Sequence, residues 1–323
     1  MHKRSLILKL MITAALGLFL AFKLSSCSPP GQATGIAASP ATPPTEPSPA
    51  TPAAPSPSME STRAAAPVIS STPTLAEPTP LLSPTPFVCR QRKGHILQDQ
   101  VTTDLLRHPI DFRVYLPPCY EQEPERRYPV LYLIHGQSYT DDQWDRLGAD
   151  EAADELIYTG EAAPFMIVMP RYRIWYQPDE HNFGLAMVEV LIPLIDSRYR
   201  TLPHRQDRAI GGLSMGAAWA LHLGLSQWEL FGAVGLHSLA LFSIDSPRIP
   251  RWLDSIPPDQ LPRIYIDIGD KDSKALLYST IWFEETLNKK NIPHEWYLFS
   301  GYHEEKYWQE HIGQYIRWYT QEW

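Results

Sequence analysis

The sequence predicts an α/β fold, a mostly parallel sheet with helices on both faces. Three observations carry that expectation. Segments of strand and helix character alternate from residue 110 to the C-terminus, the order that builds parallel sheets. Two strand-length runs, Tyr128 to His135 (YPVLYLIH) and Pro164 to Pro170 (PFMIVMP), are apolar without alternation, as strands buried on both faces must be. A Gly-rich turn, Gly212-Leu213-Ser214-Met215-Gly216, separates a strand pattern from a helix pattern.

The elements follow in order. Ile110 to Leu116 alternates as a half-buried strand, and Pro117-Pro118 ends it. Tyr128 to His135 is a central strand. Asp142 to Tyr158 spaces Trp144, Leu147, Ala152 and Leu156 as a helix does. Pro164 to Pro170 is the next buried strand. Asn182 to Tyr199 is helical, with Leu185, Val188, Leu191 and Ile195 on one face. Asp207 to Leu213 is a strand and Ala217 to Gln227 a helix. Phe231 to Leu236 and Arg263 to Ile268 are short buried strands. Leu276 to Lys290 is a helix, His294 to Phe299 a strand, and Glu304 to Tyr319 the last helix. Ligands of such sheets bind at the carboxyl ends of the strands.

Composition divides the chain. Of 32 prolines in 323 residues, 16 fall between Ser28 and Phe87, a stretch with four charged residues and one aromatic. Such a segment buries too little apolar surface to offset its ordering entropy, so residues 28–87 read as a disordered tether rich in Pro, Ala, Ser and Thr. Residues 88–323 hold 33 of the 36 aromatics and read as one globular domain. That domain has 23 Lys and Arg against 33 Asp and Glu. An acidic domain without a basic run is a poor binder of phosphate backbones, so no nucleic-acid partner is expected. No apolar run reaches the ~18–20 residues of a membrane span.

The N-terminus reads as an export signal. His2-Lys3-Arg4 is a basic start, Leu10 to Phe22 is a 13-residue apolar run, and small residues follow it. An uncleaved signal anchor is the alternative. Leu24-Ser25-Ser26-Cys27 resembles the lipobox of bacterial lipoproteins. That resemblance implies a signal segment over 1–27, acylation of Cys27 and a lipid anchor holding the protein at the outer face of the cell membrane. Cys89 and Cys119 remain as an even pair in an exported chain, and a disulfide between them is expected.

The chemistry centres on G-x-S-x-G. A tight strand-to-helix turn presents its serine at a helix N-terminus, where developing negative charge is favoured. Ser214 is therefore the candidate nucleophile. It needs a base, and the base needs an orienting carboxylate, in the chain order Ser, acid, His. His303 lies in a turn after a strand and before the last helix, at the strand ends. His237 follows a buried strand and competes, but no acid-then-His order includes it. The loop after the Arg263–Ile268 strand offers Asp270 and Asp272. Asp272, three residues past Gly269, is preferred, with Asp270 as runner-up; Asp267, inside the strand, reads as structural. The oxyanion donors are the backbone amides of Met215, beside the nucleophile, and Gln137, in the loop after the Tyr128–His135 strand.

With these residues in place, the blocks YPVLYLIHG, LIPLID-x-x-YR, AIGGLSMG, IGDKD and GYHEEKYW, with Trp144 after the first, resemble the esterase D family of α/β-hydrolases. Feruloyl and acetylxylan esterases, enterochelin esterases, S-formylglutathione hydrolases and mycolyltransferases belong to it. The resemblance covers residue 111 to the C-terminus. It implies a Ser214–Asp272–His303 triad, an oxyanion hole of the Met215 and Gln137 amides, and ester hydrolysis through an acyl-enzyme without a cofactor or metal. Two positions depart from the family's habit: Ala217 stands where glycine is frequent, and Glu304-Glu305 follows His303 where Asp-Trp is frequent. An acyltransferase of the same fold and a non-catalytic binding module are the alternatives. Tyr172, Trp175, Tyr176 and Trp144 are expected in loops lining a pocket for a small-molecule or polysaccharide-linked ester.

Overall fold

A computed structural model describes residues 88–172 and 177–323. The expected signal segment with Cys27, the tether, Trp175 and Tyr176 lie outside the described residues.

Eight strands of the described residues form one sheet in the order β1-β2-β4-β3-β5-β6-β7-β8. They are β1 (His95–Val101), β2 (Ile110–Leu116), β3 (Val130–Ile134), β4 (Met166–Pro170), β5 (Arg208–Leu213), β6 (Ala233–His237), β7 (Arg263–Gly269) and β8 (Glu295–Phe299). β1 and β2 run antiparallel at one edge, and every pair from β4 to β8 is parallel. The period-2 alternation of strand side chains then sorts two cores. Val130, Tyr132 and Ile134 face one side, packed with Trp219 and Leu223; Leu131 and Leu133 face the other, with Trp144, Tyr315 and Tyr319. Burial on both faces is why β3 and β4 read as unbroken apolar runs.

The helices are α1 (Gln143–Arg146), α2 (Ala149–Thr159), α3 (Phe183–Ala186), α4 (Ile192–Arg198), α5 (Met215–Ser226), α6 (Ile249–Ser255), α7 (Lys274–Lys289) and α8 (Glu305–Thr320). Two expected helices are interrupted. The Asp142–Tyr158 segment breaks into α1 and α2 at Gly148, which adopts φ 91°, a conformation open to glycine at little cost. The Asn182–Tyr199 segment passes through a π turn at Met187–Leu191 between α3 and α4. Pro193, in the first turn of α4, has no N–H to give and crowds the carbonyl four residues back, so the ladder shifts there. Strand β1 has no signature in the sequence, since its HILQDQV residues are mostly exposed; an edge strand needs no apolar face. The short helix α6 was hidden for want of length.

α5 is apolar on all sides and buries Ala217, Ala218, Trp219, Ala220, Leu221, Leu223 and Leu225. It therefore lies inside the protein, against β3, β5 and β6.

Cys89 and Cys119 form a disulfide, closing a separation of 30 residues. The Cys119 amide also donates to the Gln91 side chain at 2.8 Å. Both contacts fasten the start of the described domain to the end of β2.

Candidate active site

The parallel register brings five strand ends together. Ile134 pairs with Gly212, Leu213 with His237, His237 with Asp267, and Gly269 with Phe299. The segments after β3, β5, β7 and β8 carry Gln137, Ser214, Asp272 and His303, so the sheet itself gathers the residues singled out from the sequence.

Ser214 sits at φ 53°, ψ −112°, a left-handed φ that a side chain adopts only under strain. Two glycines make the turn possible. A Cβ at Gly212 would lie 2.2 Å from the Gly216 carbonyl, and one at Gly216 would lie 2.1 Å from the Ile134 oxygen. Three backbone bonds hold the turn: the Ser214 amide donates to His237 O at 2.8 Å, and the amides of Ala218 and Ala240 donate to Ser214 O at 3.2 Å. The strain is thus held by the sheet and by α5, and the hydroxyl is left at the surface of the strand ends.

The Ser214 hydroxyl oxygen lies 3.0 Å from His303 Nε2, and His303 Nδ1 lies 2.8 Å from Asp272 Oδ2. A carboxylate only accepts, so Nδ1 carries the proton and Nε2 turns its lone pair to the hydroxyl. The Asp272 side chain has no solvent exposure, whereas His303 is 30% exposed. Asp272 Oδ1 accepts the Ser273 amide at 2.5 Å, which leaves Oδ2 for the imidazole. Trp308 meets the His303 ring edge-on at 5.0 Å, and its indole N–H donates to Ser238 Oγ at 3.2 Å.

Asp270 has a different place. It is exposed and accepts the Gly301 amide at 3.1 Å, while the Lys271 amide donates to Gly301 O at 2.9 Å. Asp270 pins the loop bearing His303; Asp272 faces the imidazole.

Met215 begins α5, and the first turn of α5 lies against the end of β3 through the Gly216 contact. Gln137 follows in the loop after β3. The neighbouring amide of Gly136 is already engaged, donating to Gln143 Oε1 at 2.8 Å. His135, at the strand end, is buried and stacks on Tyr172 at 4.4 Å. Its Nδ1 lies 2.6 Å from Gly136 O, and Tyr172 N donates to its Nε2 at 3.3 Å. Both partners suit the neutral ring protonated on Nδ1, and burial pushes its pKa down to about 4.

His237 does not reach the hydroxyl. It is fully buried, with Nδ1 2.6 Å from Asp267 Oδ1 and Nε2 3.0 Å from the Tyr319 hydroxyl. Asp267 also accepts from the Tyr307 and Tyr315 hydroxyls, at 2.6 and 2.8 Å. His311 stacks on Phe299 at 4.1 Å. Of the expected pocket aromatics, Tyr172 is buried beneath His135. Trp144 lies in α1, as its helical spacing predicts, and is fully buried, donating to Ile134 O at 3.1 Å, which corrects the expectation that it lines a pocket from a loop. The sequence also gave no signal for Gln143, because a glutamine inside a helix pattern carries no mark of the loop amide it holds.

This fold and this site together define an α/β-hydrolase. Residues 103–319 match the family described as "Putative esterase", and the chain belongs to that family. The comparisons agree on the fold. A solved ferulic acid esterase superposes with a TM-score of 0.64 at 25% identity, over 72% of this chain and 100% of that one. An S-formylglutathione hydrolase from Staphylococcus aureus gives a TM-score of 0.56 at 18% identity, over 70% of this chain and 99% of that one. A curated relative, the endo-1,4-beta-xylanase/feruloyl esterase of Xylanibacter ruminicola, is 30% identical over 171 residues, covering 50% of this chain and 22% of that protein. This chain thus spans under a third of the length of the curated relatives it matches.

Proposed function

We propose that the protein is a serine carboxylesterase acting outside the cytoplasm. The observation that carries this reading is the continuous Ser214–His303–Asp272 hydrogen-bond chain at the carboxyl ends of the strands.

In this mechanism, Ser214 Oγ attacks the ester carbonyl as His303 Nε2 takes its proton. Asp272 holds the Nδ1 proton and stabilises the imidazolium that forms. The oxyanion is received by the amides of Met215 and Gln137, fixed dipoles that need no reorganisation as charge develops. Collapse breaks the ester C–O bond, and His303 returns the proton to the leaving alcohol. Water then adds to the acyl-enzyme by the same route and frees the acid and Ser214.

The substrate is a small-molecule or polysaccharide-linked ester, a reading supported by the feruloyl esterase names among the relatives. No helix among the described residues is long and apolar enough to cross a membrane. Membrane attachment is assigned to acylated Cys27 on the strength of the lipobox-like Leu24-Ser25-Ser26-Cys27, with residues 28–87 as the tether between lipid and domain. Turnover of feruloyl, acetyl-xylan and p-nitrophenyl esters, with and without an added alcohol acceptor, tests the reading. Hydrolysis lost in Ser214→Ala supports it; acyl transfer to the alcohol in place of hydrolysis, or no turnover of any ester, overturns it. Mass spectrometry of the mature N-terminus tests the anchor: an unmodified Cys27 removes it.

A further inference from the structure

Outside the triad, one set of contacts ties the loop of the base to the loop of the oxyanion donor. Gln143 is fully buried in α1. Its Oε1 accepts the Gly136 amide at 2.8 Å, and its Nε2 donates to Glu305 Oε1 at 3.4 Å. Glu305 opens α8, two residues after His303. Arg146, one turn along from Gln143, donates to the same carboxylate at 3.1–3.2 Å and fixes it in place.

An amide side chain has two faces that differ only in which atom donates, and its partners decide between them. Here they leave one choice. The Glu305 carboxylate can only accept, so the Gln143 NH₂ must turn to it. Oε1 must then turn to Gly136, whose N–H can only donate. With the Gly136 amide held in this way, the loop can present the next amide, that of Gln137, to the reacting carbonyl. A reversed Gln143 would set NH₂ against N–H and push the loop away.

We propose that Gln143 is a positioning residue for the oxyanion donor and that Glu305 sets its orientation. The inference rests on the reading of the Gln137 amide as an oxyanion donor. It gives Glu305, at a position where the sequence departs from its family's habit, a part in the reaction without contact with substrate.

The test is steady-state kinetics on a short p-nitrophenyl ester, with the affinity for a trifluoromethyl ketone that forms a tetrahedral adduct on the serine. Loss of an oxyanion donor lowers kcat by about 10²–10³, and displacement of one by less. Gln143→Leu is expected to lower kcat about tenfold or more with KM within about twofold, and to weaken the ketone by the same factor as kcat/KM. Glu305→Ala is expected to lower kcat by about threefold or more, and to add nothing in the Gln143→Leu background. The exchanged pair Gln143→Glu with Glu305→Gln keeps an acceptor toward Gly136 and a donor toward residue 143, and is expected to recover most of the loss. A purely structural tie would move the melting temperature and leave kcat per folded molecule and ketone affinity unchanged; that result overturns the proposal, as do additive losses. Should Gln143→Leu not fold, Glu305→Ala and the exchanged pair decide. Turnover retained by Ser214→Ala would instead overturn the catalytic reading itself, so the two failures are distinct.

Discussion

Two His–Asp pairs lie at the ends of neighbouring strands and share nearly the same contact. His303 Nδ1 is 2.8 Å from Asp272, and His237 Nδ1 is 2.6 Å from Asp267. They differ in what the other ring nitrogen meets. His303 Nε2 faces a serine hydroxyl in a partly exposed site, whereas His237 Nε2 faces the Tyr319 hydroxyl with no exposure at all. Asp267 is further loaded with two tyrosine hydroxyls, both from α8. That hydrogen-bonded centre fastens α8 across the sheet. The Tyr319 hydroxyl occupies room that only glycine leaves: a Cβ at Gly211 or Gly235 would lie within 2 Å of it. An imidazole–carboxylate pair is thus a local building unit. Whether it does chemistry is set by access and by the acceptor left open on Nε2.

The two pairs are expected to respond to substitution in opposite ways. The largest effect belongs to Ser214→Ala, which should lower ester turnover by about 10⁴–10⁶ without altering the melting curve. Asp272→Asn should come next, with kcat down by about 10⁴ and stability nearly unchanged, because the amide no longer fixes the Nδ1–H tautomer. Asp270→Asn should stay within a few-fold of wild type in the same assay, since its work is one bond to Gly301. The reverse ranking would move the acid to Asp270.

Asp267→Asn should leave kcat per folded molecule within a few-fold while costing roughly 3–5 kcal/mol in urea unfolding. Its three donors then face an amide that can accept fewer of them. A loss of kcat at unchanged stability would erase the distinction between the pairs. Reduction of the Cys89–Cys119 disulfide lies remote from both pairs and should lower stability by ~2–4 kcal/mol, seen as roughly 5–10 °C, with kcat unchanged. Two free thiols titrated in the unfolded, unreduced domain would mean that no bond forms.

A third histidine gives the smallest test. Burial lowers the His135 pKa from 6.5 to about 4. Between these values the unfolded chain binds more protons than the folded one, so His135 favours folding above pH 6.5 and loses that contribution as pH falls toward 4. The slope it adds is at most about 1.4 kcal/mol per pH unit. His135→Gln should flatten the stability profile over that window; an unchanged profile would show that other groups set it.

Much of this was legible in the sequence. The alternation of strand and helix patterns, the unbroken apolar runs of β3 and β4, and the G-x-S-x-G turn depend on local periodicity and on glycine, so the chain alone displays them. The candidate triad was legible because a parallel sheet orders its loops at one end, and the chain order of Ser, acid and His follows from that topology. The exposed edge strand β1, the Pro193 shift in the α3–α4 segment and the burial of Trp144 against the end of β3 were not legible. Each depends on neighbours distant in sequence or on a ladder adjusting to a single residue. The separation of Asp272 from Asp270 belongs between the two: Gly269 made the turn foreseeable, but which carboxylate meets the ring depends on the closure of the β7 and β8 loops around Gly301.

The sequence by itself therefore pointed to the order of the main strands and helices, the glycine-bounded turn at Ser214 and His303 as the candidate base, because these are written in short-range pattern and in sheet topology. Only the tertiary structure decided which His–Asp pair reaches Ser214 and which is sealed by Tyr319. Only it showed Gln143 holding the Gly136 amide, next to Gln137, and reaching Glu305. Contacts of that kind join residues up to 162 positions apart, and their geometry exists only once the sheet has closed and α8 has packed across it.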